Sequence, residues 1–188
     1  MDSVEESGST ITAFEESVAC PNEAGGIPSE SEPNEDRITL AIEDDIPAID
    51  AIIRDNRHAF GFVRQVALRK SIASAELIVA KRTGNVVGFA RFHHRQDGIT
   101  TLHEISVATS FQHQGIGKKL IEHIEYEAIQ RGQNSIRLKC PIDLPANGFY
   151  SNLGFQRLDV ELRKKRALVV WEKPMLKESV MQKESGKL

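Results

Sequence analysis

The chain has 188 residues, 24 Lys and Arg against 27 Asp and Glu, and a hydrophobic share of 40%, which leaves room for one domain of ordinary size plus a tail. No apolar run reaches the length of a bilayer span, and the N-terminus lacks the basic and apolar regions of a secretory signal; a membrane role and export are not expected, and the cytoplasm is the expected compartment. The two cysteines, Cys20 and Cys140, stand far apart and without metal-ligand spacing, so neither a disulfide framework nor a bound metal is expected.

The charge is unevenly spread. Residues 1–36 carry ten acids and no Lys or Arg, which leaves 24 basic against 17 acidic residues, or +7, on the remainder. This segment is also rich in Ser, Pro, Gly and Asn. It cannot bury enough apolar surface to offset its ordering entropy and is expected to be a disordered acidic tail. The basic body suits an anionic ligand.

From Arg37 the pattern is that of a folded domain running to residue 174, with a short frayed tail over 175–188. Arg37 to Ala41 reads as a strand. Glu43-Asp-Asp-Ile-Pro opens a helix with acids in its first turn and Ile46, Ile49, Ile52 and Ile53 on one face. A second helix is expected over Phe62 to Ala73 with Val63, Val66 and Ile72 inward, and Phe60 and Phe62 are expected in the core, with a pocket lining as the alternative. Ala75 to Lys81 and Val86 to His93 flank the hairpin signal Thr83-Gly84-Asn85, and Gln96-Asp97-Gly98 turns the chain into a third strand, Ile99 to Val107. Along that strand, period-two alternation puts Thr101, His103 and Ile105 on one face and Glu104 on the other. A helix follows from Gly117 to Arg131 with Gly132 as its stop, then a strand over Ser135 to Cys140 expected to run parallel to Ile99–Val107. A short helix from Ala146 to its stop at Gly154 and a final hairpin (Phe155 to Leu162, Ala167 to Lys173) around the basic turn Arg163–Arg166 complete the domain, with Phe155 and Trp171 in the core.

The chemistry concentrates at the join between strand and helix. Gln112-His-Gln-Gly115-Ile-Gly117 places two glycines where a strand hands over to a helix N-terminus, and unpaired N–H groups there favour an anion. It is neither of the common phosphate loops. A Walker A loop needs glycine where Gln112 stands and Ser or Thr where Lys119 stands, and the dinucleotide fingerprint needs glycine at Leu120. What remains is Gln-x-x-Gly-x-Gly, a cradle for a pyrophosphate.

Together with a second signature, Ala146-x-x-Phe149-Tyr150-x-x-x-Gly154-Phe155, this pattern resembles the GNAT superfamily of acetyl-CoA-dependent N-acetyltransferases over about Arg37 to Lys173. The resemblance implies an α/β (α+β) fold: a mixed, mostly antiparallel twisted sheet, helices on both faces, and a central splayed parallel strand pair. It implies acetyl-CoA as cosubstrate and direct attack by a primary amine of a small molecule or peptide in a ternary complex. It also implies that the backbones of Ile105 and Val107 pair with the pantetheine arm, and that Gln112, Gln114, Gly115, Gly117 and Lys118 hold the pyrophosphate, mostly through main-chain N–H groups. Family members often carry Asn where this chain has Asp143, which leaves that polar contact open; Asn147, just after Ala146, is the candidate for it. Tyr150 occupies the place of the proton donor to the leaving thiolate. For the base, the glutamate position of some members is Leu138 here; His103 is the first candidate and Glu104 the second, with a water chain as the alternative to both.

Two other classes fit the same residues: a non-catalytic acyl-CoA-binding sensor or scaffold, and a basic nucleic-acid-associated protein. The second is not favoured, because its basic segments lack interleaved aromatics. A homodimer is compatible with the reading.

Overall fold

A computed structural model describes residues 36–57, 65–163 and 166–175. The acidic segment 1–35, Phe60, Phe62 and Val63, and the chain end from 176 lie outside the described residues, as do Lys164 and Lys165 of the basic turn. Elements in order are β1 (Arg37–Leu40), α1 (Ile46–Asp55), α2 (Gln65–Ala73), β2 (Leu77–Arg82), β3 (Asn85–His94), β4 (Ile99–Val107), α3 (Ile116–Gln130), β5 (Ser135–Pro141), α4 (Ala146–Asn152), β6 (Gln156–Glu161) and β7 (Leu168–Pro174). The described strands form one sheet in the order β1-β2-β3-β4-β5-β7-β6. Every pairing is antiparallel except β4 with β5.

Helices cover both faces. On one, Ile46, Ile49 and Ile52 of α1 and Leu68 of α2 pack on Leu77, Val79 and Phe89. On the other, Leu120, Ile121, Ile124 and Ala128 of α3 pack on Ile78, Ala90, Phe92, Leu102 and Ile136. Each such side chain contributes about 1.5–3 kcal/mol by leaving water. The acids Glu43–Asp45 form a single 3-10 turn ahead of α1 rather than its first α-turn. Val66, expected inward, is 73% exposed; α2 begins at Gln65, and its phase turns Leu68 to the sheet together with the expected Ile72.

Turn chemistry sets the punctuation. Thr83 and Gly84, both with positive φ, close the β2–β3 hairpin as a two-residue turn whose twist matches its strands. α3 and α4 end the same way: the N–H groups of Gly132 and Gln133 bond the carbonyls of Ile129 and Ala128, and those of Gly154 and Phe155 bond Ser151 and Tyr150. Both are Schellman closures.

No helix among the described residues is long and apolar enough to cross a membrane. His93 and His94 take separate partners, Glu76 and Thr100. His94 Nε2 is buried without a hydrogen-bond partner. Burial, reinforced by the charge of Arg131, holds the His94 pKa below the ordinary histidine value. The neutral ring is therefore the folded form. Its stability contribution is complete above the unfolded pKa of about 6.5 and is lost as pH falls below that value. Thermal melts should show the midpoint falling between pH 7 and pH 5, and His94→Gln should flatten that slope.

Candidate active site

The parallel β4–β5 ladder runs from Ile99↔Ser135 to Leu102↔Leu138 and stops there. Both strands continue: β4 stays paired to β3 as far as Val107↔Gly88, and β5 to β7 as far as Pro141↔Leu168. The two strands thus part above Leu102 and Leu138, leaving facing backbone edges without a strand partner. The split is at the centre of the sheet, where a closed ladder would otherwise be expected.

A bulge in β4 sits at the root of the split. Arg91 pairs with Glu104 and Phe92 with Leu102, so His103 is the extra residue. Leu102 and Ile105 both pack into the α3-side core, which a regular strand forbids for residues three apart. His103 and Glu104 consequently share the opposite face. The expectation that His103 lies with Ile105 and away from Glu104 is corrected by this one-residue phase shift. The Glu104 carboxylate is engaged by Arg91 through both oxygens, Nη2 to Oε1 at 2.8 Å and Nε to Oε2. His103 is exposed at its edge. Partial burial, then the charge of Arg91, holds its pKa below the usual histidine range, so its ring is neutral at pH 7.

The cradle follows β4. Gly115, at φ +84°, is the N-cap of α3; no side chain caps this helix, and its first bond runs from Lys119 N–H to the Gly115 carbonyl. The amides of Ile116, Gly117 and Lys118 are left as donors, and a Cβ on Gly115 would meet nothing within 4 Å. Gly117 has a different reason to be glycine. A Cβ there would stand 3.2 Å from the Phe149 ring, so the two signatures of the sequence touch. The Lys118 side chain is exposed, with its amine 3.6 Å from Glu122.

Gln112 turns into the protein, whereas Gln114 is exposed and tied to side chains and carbonyls at the surface. Gln112 Nε2 donates to the Val107 carbonyl at 3.1 Å and to Asn56 Oδ1 at 3.3 Å. Buried Asn56 in turn bonds the Ile52 carbonyl at 3.0 Å. Gln114 accepts from Arg82 Nη1 at 2.7 Å and donates to the Ser110 carbonyl at 3.2 Å. Asp36, counted with the acidic tail by composition, belongs to the fold. Its carboxylate is 3% exposed and takes Arg82 Nε at 2.7 Å and Lys119 Nζ at 3.0 Å. The hydrogen bond from Arg82 is the chief reason its pKa lies below the usual carboxylate range.

Tyr150 lies under the β5 side of the split. It is 7% exposed, its ring stands edge-on to Phe149 and Phe155, and its titratable neighbour is Cys140. Burial pushes its phenol well above the ordinary tyrosine value. Among the described residues its hydroxyl has no hydrogen-bond partner. Burial likewise pushes the Cys140 thiol up to about 11.

Asn147 is committed elsewhere. Its Nδ2 donates to the Pro141 and Leu144 carbonyls, each at 2.8 Å, and its Oδ1 accepts from the Trp171 indole at 2.9 Å. Its amide is therefore saturated by structural partners. Asp143 is held on both oxygens by Arg166 at 2.7 Å, tying the β5–α4 turn to the last hairpin.

Asn56, Asp36, Arg82 and Gly88 brace the join between β4 and α3 without a local sequence signal. Gly88 brings β3 close beneath the cradle, where a Cβ would come within 3.0 Å of the Ser106 carbonyl and 3.4 Å of Ile116.

Known proteins share this architecture. Ard1 from Thermoplasma volcanium superposes with a TM-score of 0.69 at 18% identity, covering 75% of this chain and 98% of its own. The ribosomal-protein-S18-alanine N-acetyltransferase from Escherichia coli gives 0.63 at 23% identity, with 82% and 100% covered. YncA from Salmonella typhimurium, a putative acetyltransferase solved with its cofactor acetyl-CoA, gives 0.63 at 19%, with 77% and 96% covered. At these identities the likeness carries the fold alone. No curated protein sequence matches the chain. The model of the Acetyltransferase (GNAT) family matches residues 46–155, well over half of the sequence and inclusive of both signatures, and the chain belongs to that family.

Proposed function

We propose that this protein is an N-acetyltransferase that moves the acetyl group of acetyl-CoA to a primary amine by direct attack in a ternary complex. The observation that carries the reading is the parting of β4 from β5 above Leu102 and Leu138, with unpaired α3 amides following β4 and Tyr150 packed with Cys140 of β5. The donor set fits a diphosphate: three main-chain N–H groups at a helix N-terminus, open space before Gly115, and no capping side chain competing for them. Acetyl-CoA bound there supplies the activated acyl group as substrate.

The residues of the chain divide the remaining work. The amine must reach the thioester neutral. His103 is the better base, since its ring is unprotonated at pH 7 while both Glu104 oxygens are taken by Arg91. As the C–N bond forms and the C–S bond breaks, negative charge builds on sulfur. Tyr150 donates a hydrogen bond to it. Its raised pKa keeps it protonated but makes complete transfer to a thiolate uphill, so the proton released by the amine balances the step.

A covalent acyl-cysteine is disfavoured because the Cys140 thiol stays protonated near neutral pH. Cys140→Ala should keep turnover of the same order, and intact mass after incubation with acetyl-CoA should show no adduct on the native chain. The apolar Leu138 and the occupied Glu104 favour the second reading, an acyl-CoA-binding sensor without turnover. Free-thiol release from acetyl-CoA across a pooled library of peptide and small-molecule amines tests between them. Calorimetric binding without any thiol release would sink the enzyme.

A further inference from the structure

The cradle stands beside two cations that are not free to serve it. Arg82 and Lys119 both donate to Asp36, whose buried carboxylate cancels one of their charges. Placing an anion next to an anion site is electrostatically unfavourable, so its benefit must be geometric. The geometry is a chain of contacts. Asp36 fixes the Arg82 fork at Nε; the same guanidinium lies 5.3 Å from the centre of the Phe111 ring and delivers Nη1 to Gln114 Oε1 at 2.7 Å. Gln114 closes the loop through Ser110 at 3.2 Å. The turn held in this way is a strained one. His113, next to Gln114, has φ +62°, which costs a residue with a Cβ about 1–2 kcal/mol.

We infer that Asp36 and Arg82 are positioning residues for the coenzyme A diphosphate, holding Gln114 so that the His113–Gly115 turn keeps its amides aimed outward. The inference rests on the proposed function. Asp36 acts through Arg82, and Arg82 through Gln114. Neither is assigned contact with the ligand. Lys119 is held back by the same carboxylate and adds little direct charge to the site.

The test turns on a sign. Asp36→Asn removes a negative charge 3.0 Å from Lys119, in the first turn of α3. If Asp36 acts only through its charge, this variant binds acetyl-CoA more tightly. If it positions the turn, the variant binds more weakly, by about tenfold, the loss expected when a charge-assisted hydrogen bond that shapes a site is removed. Affinity is read by calorimetry on the full chain, with KM for acetyl-CoA and kcat at saturation measured in parallel. Arg82→Met should weaken binding to a similar extent, with kcat at saturation nearly kept. The Asp36→Asn/Arg82→Met double variant should be no worse than either single, since both cut one chain of contacts. Arg82→Lys keeps the charge and the reach to Asp36 but lacks the fork to Gln114, and it should also bind weakly. Tighter or unchanged binding in Asp36→Asn, or full recovery in Arg82→Lys, overturns the inference while leaving the proposed function standing. Failure of the native chain to bind acetyl-CoA overturns both.

Discussion

Tyr150→Phe is expected to lower kcat by about 10²–10³-fold, the range found when one donor to a developing anion is removed, with acetyl-CoA affinity nearly intact. The substitution deletes one oxygen and little else. The ring keeps its edge-on contacts with Phe149 and Phe155, and no protein hydrogen bond is lost among the described residues. The fold should therefore be as stable as the native one, or slightly more so. The hydroxyl is not among the buried polar atoms left without a partner, so deleting it strands no group inside the free protein. Stopped assays of thiol release at saturating acetyl-CoA read kcat, and calorimetry reads affinity. Native turnover in Tyr150→Phe would remove the donor role and leave the amine's own proton as sufficient. A fall in affinity equal to the fall in kcat would mean that the hydroxyl holds the ground state instead.

Asn147→Ala should destabilise the fold by about 1–3 kcal/mol, because the indole N–H loses its partner while two carbonyls that keep a backbone N–H each lose a second bond. Those groups are Pro141 and Leu144 in the turn before α4, and Trp171 on β7, which is 8% exposed. The amide thus ties together three segments that meet behind Tyr150. Urea unfolding should show a lower midpoint with an unchanged slope. Acetyl-CoA affinity of the folded fraction should fall only modestly. The opposite pattern, native stability with lost affinity, would return Asn147 to the role of a cofactor contact.

The strands, the three-strand meander, the parallel return after α3 and both helix stops were legible locally. Alternation of β-branched residues, a two-residue hairpin signal and glycines at C′ positions each act within a few residues of chain, so a linear reading captures them. The second helix was harder. Its register depends on where the first turn starts, and the periodicity puts Val66 on the wrong face. The candidate site divides along the same line. Gly115 and Gly117 are visible as a pattern, but the reason Gly117 must lack a side chain is the Phe149 ring, 32 positions along the chain.

The sequence alone determined the order of elements, the paired glycines at the join into α3 and the family, because these rest on short-range periodicity and on two compact signatures. Tertiary structure decided how the side chains are used. The bulge that puts His103 beside Glu104 exists only as a mismatch between β3 and β4. The recruitment of Asp36 depends on β1 lying next to β2, within reach of Arg82 and α3. The bond between Asn147 and the Trp171 indole depends on β7 bringing Trp171 next to α4. Each is a contact between residues dozens of positions apart or a phase shift of one residue, and neither leaves a trace in local composition or spacing.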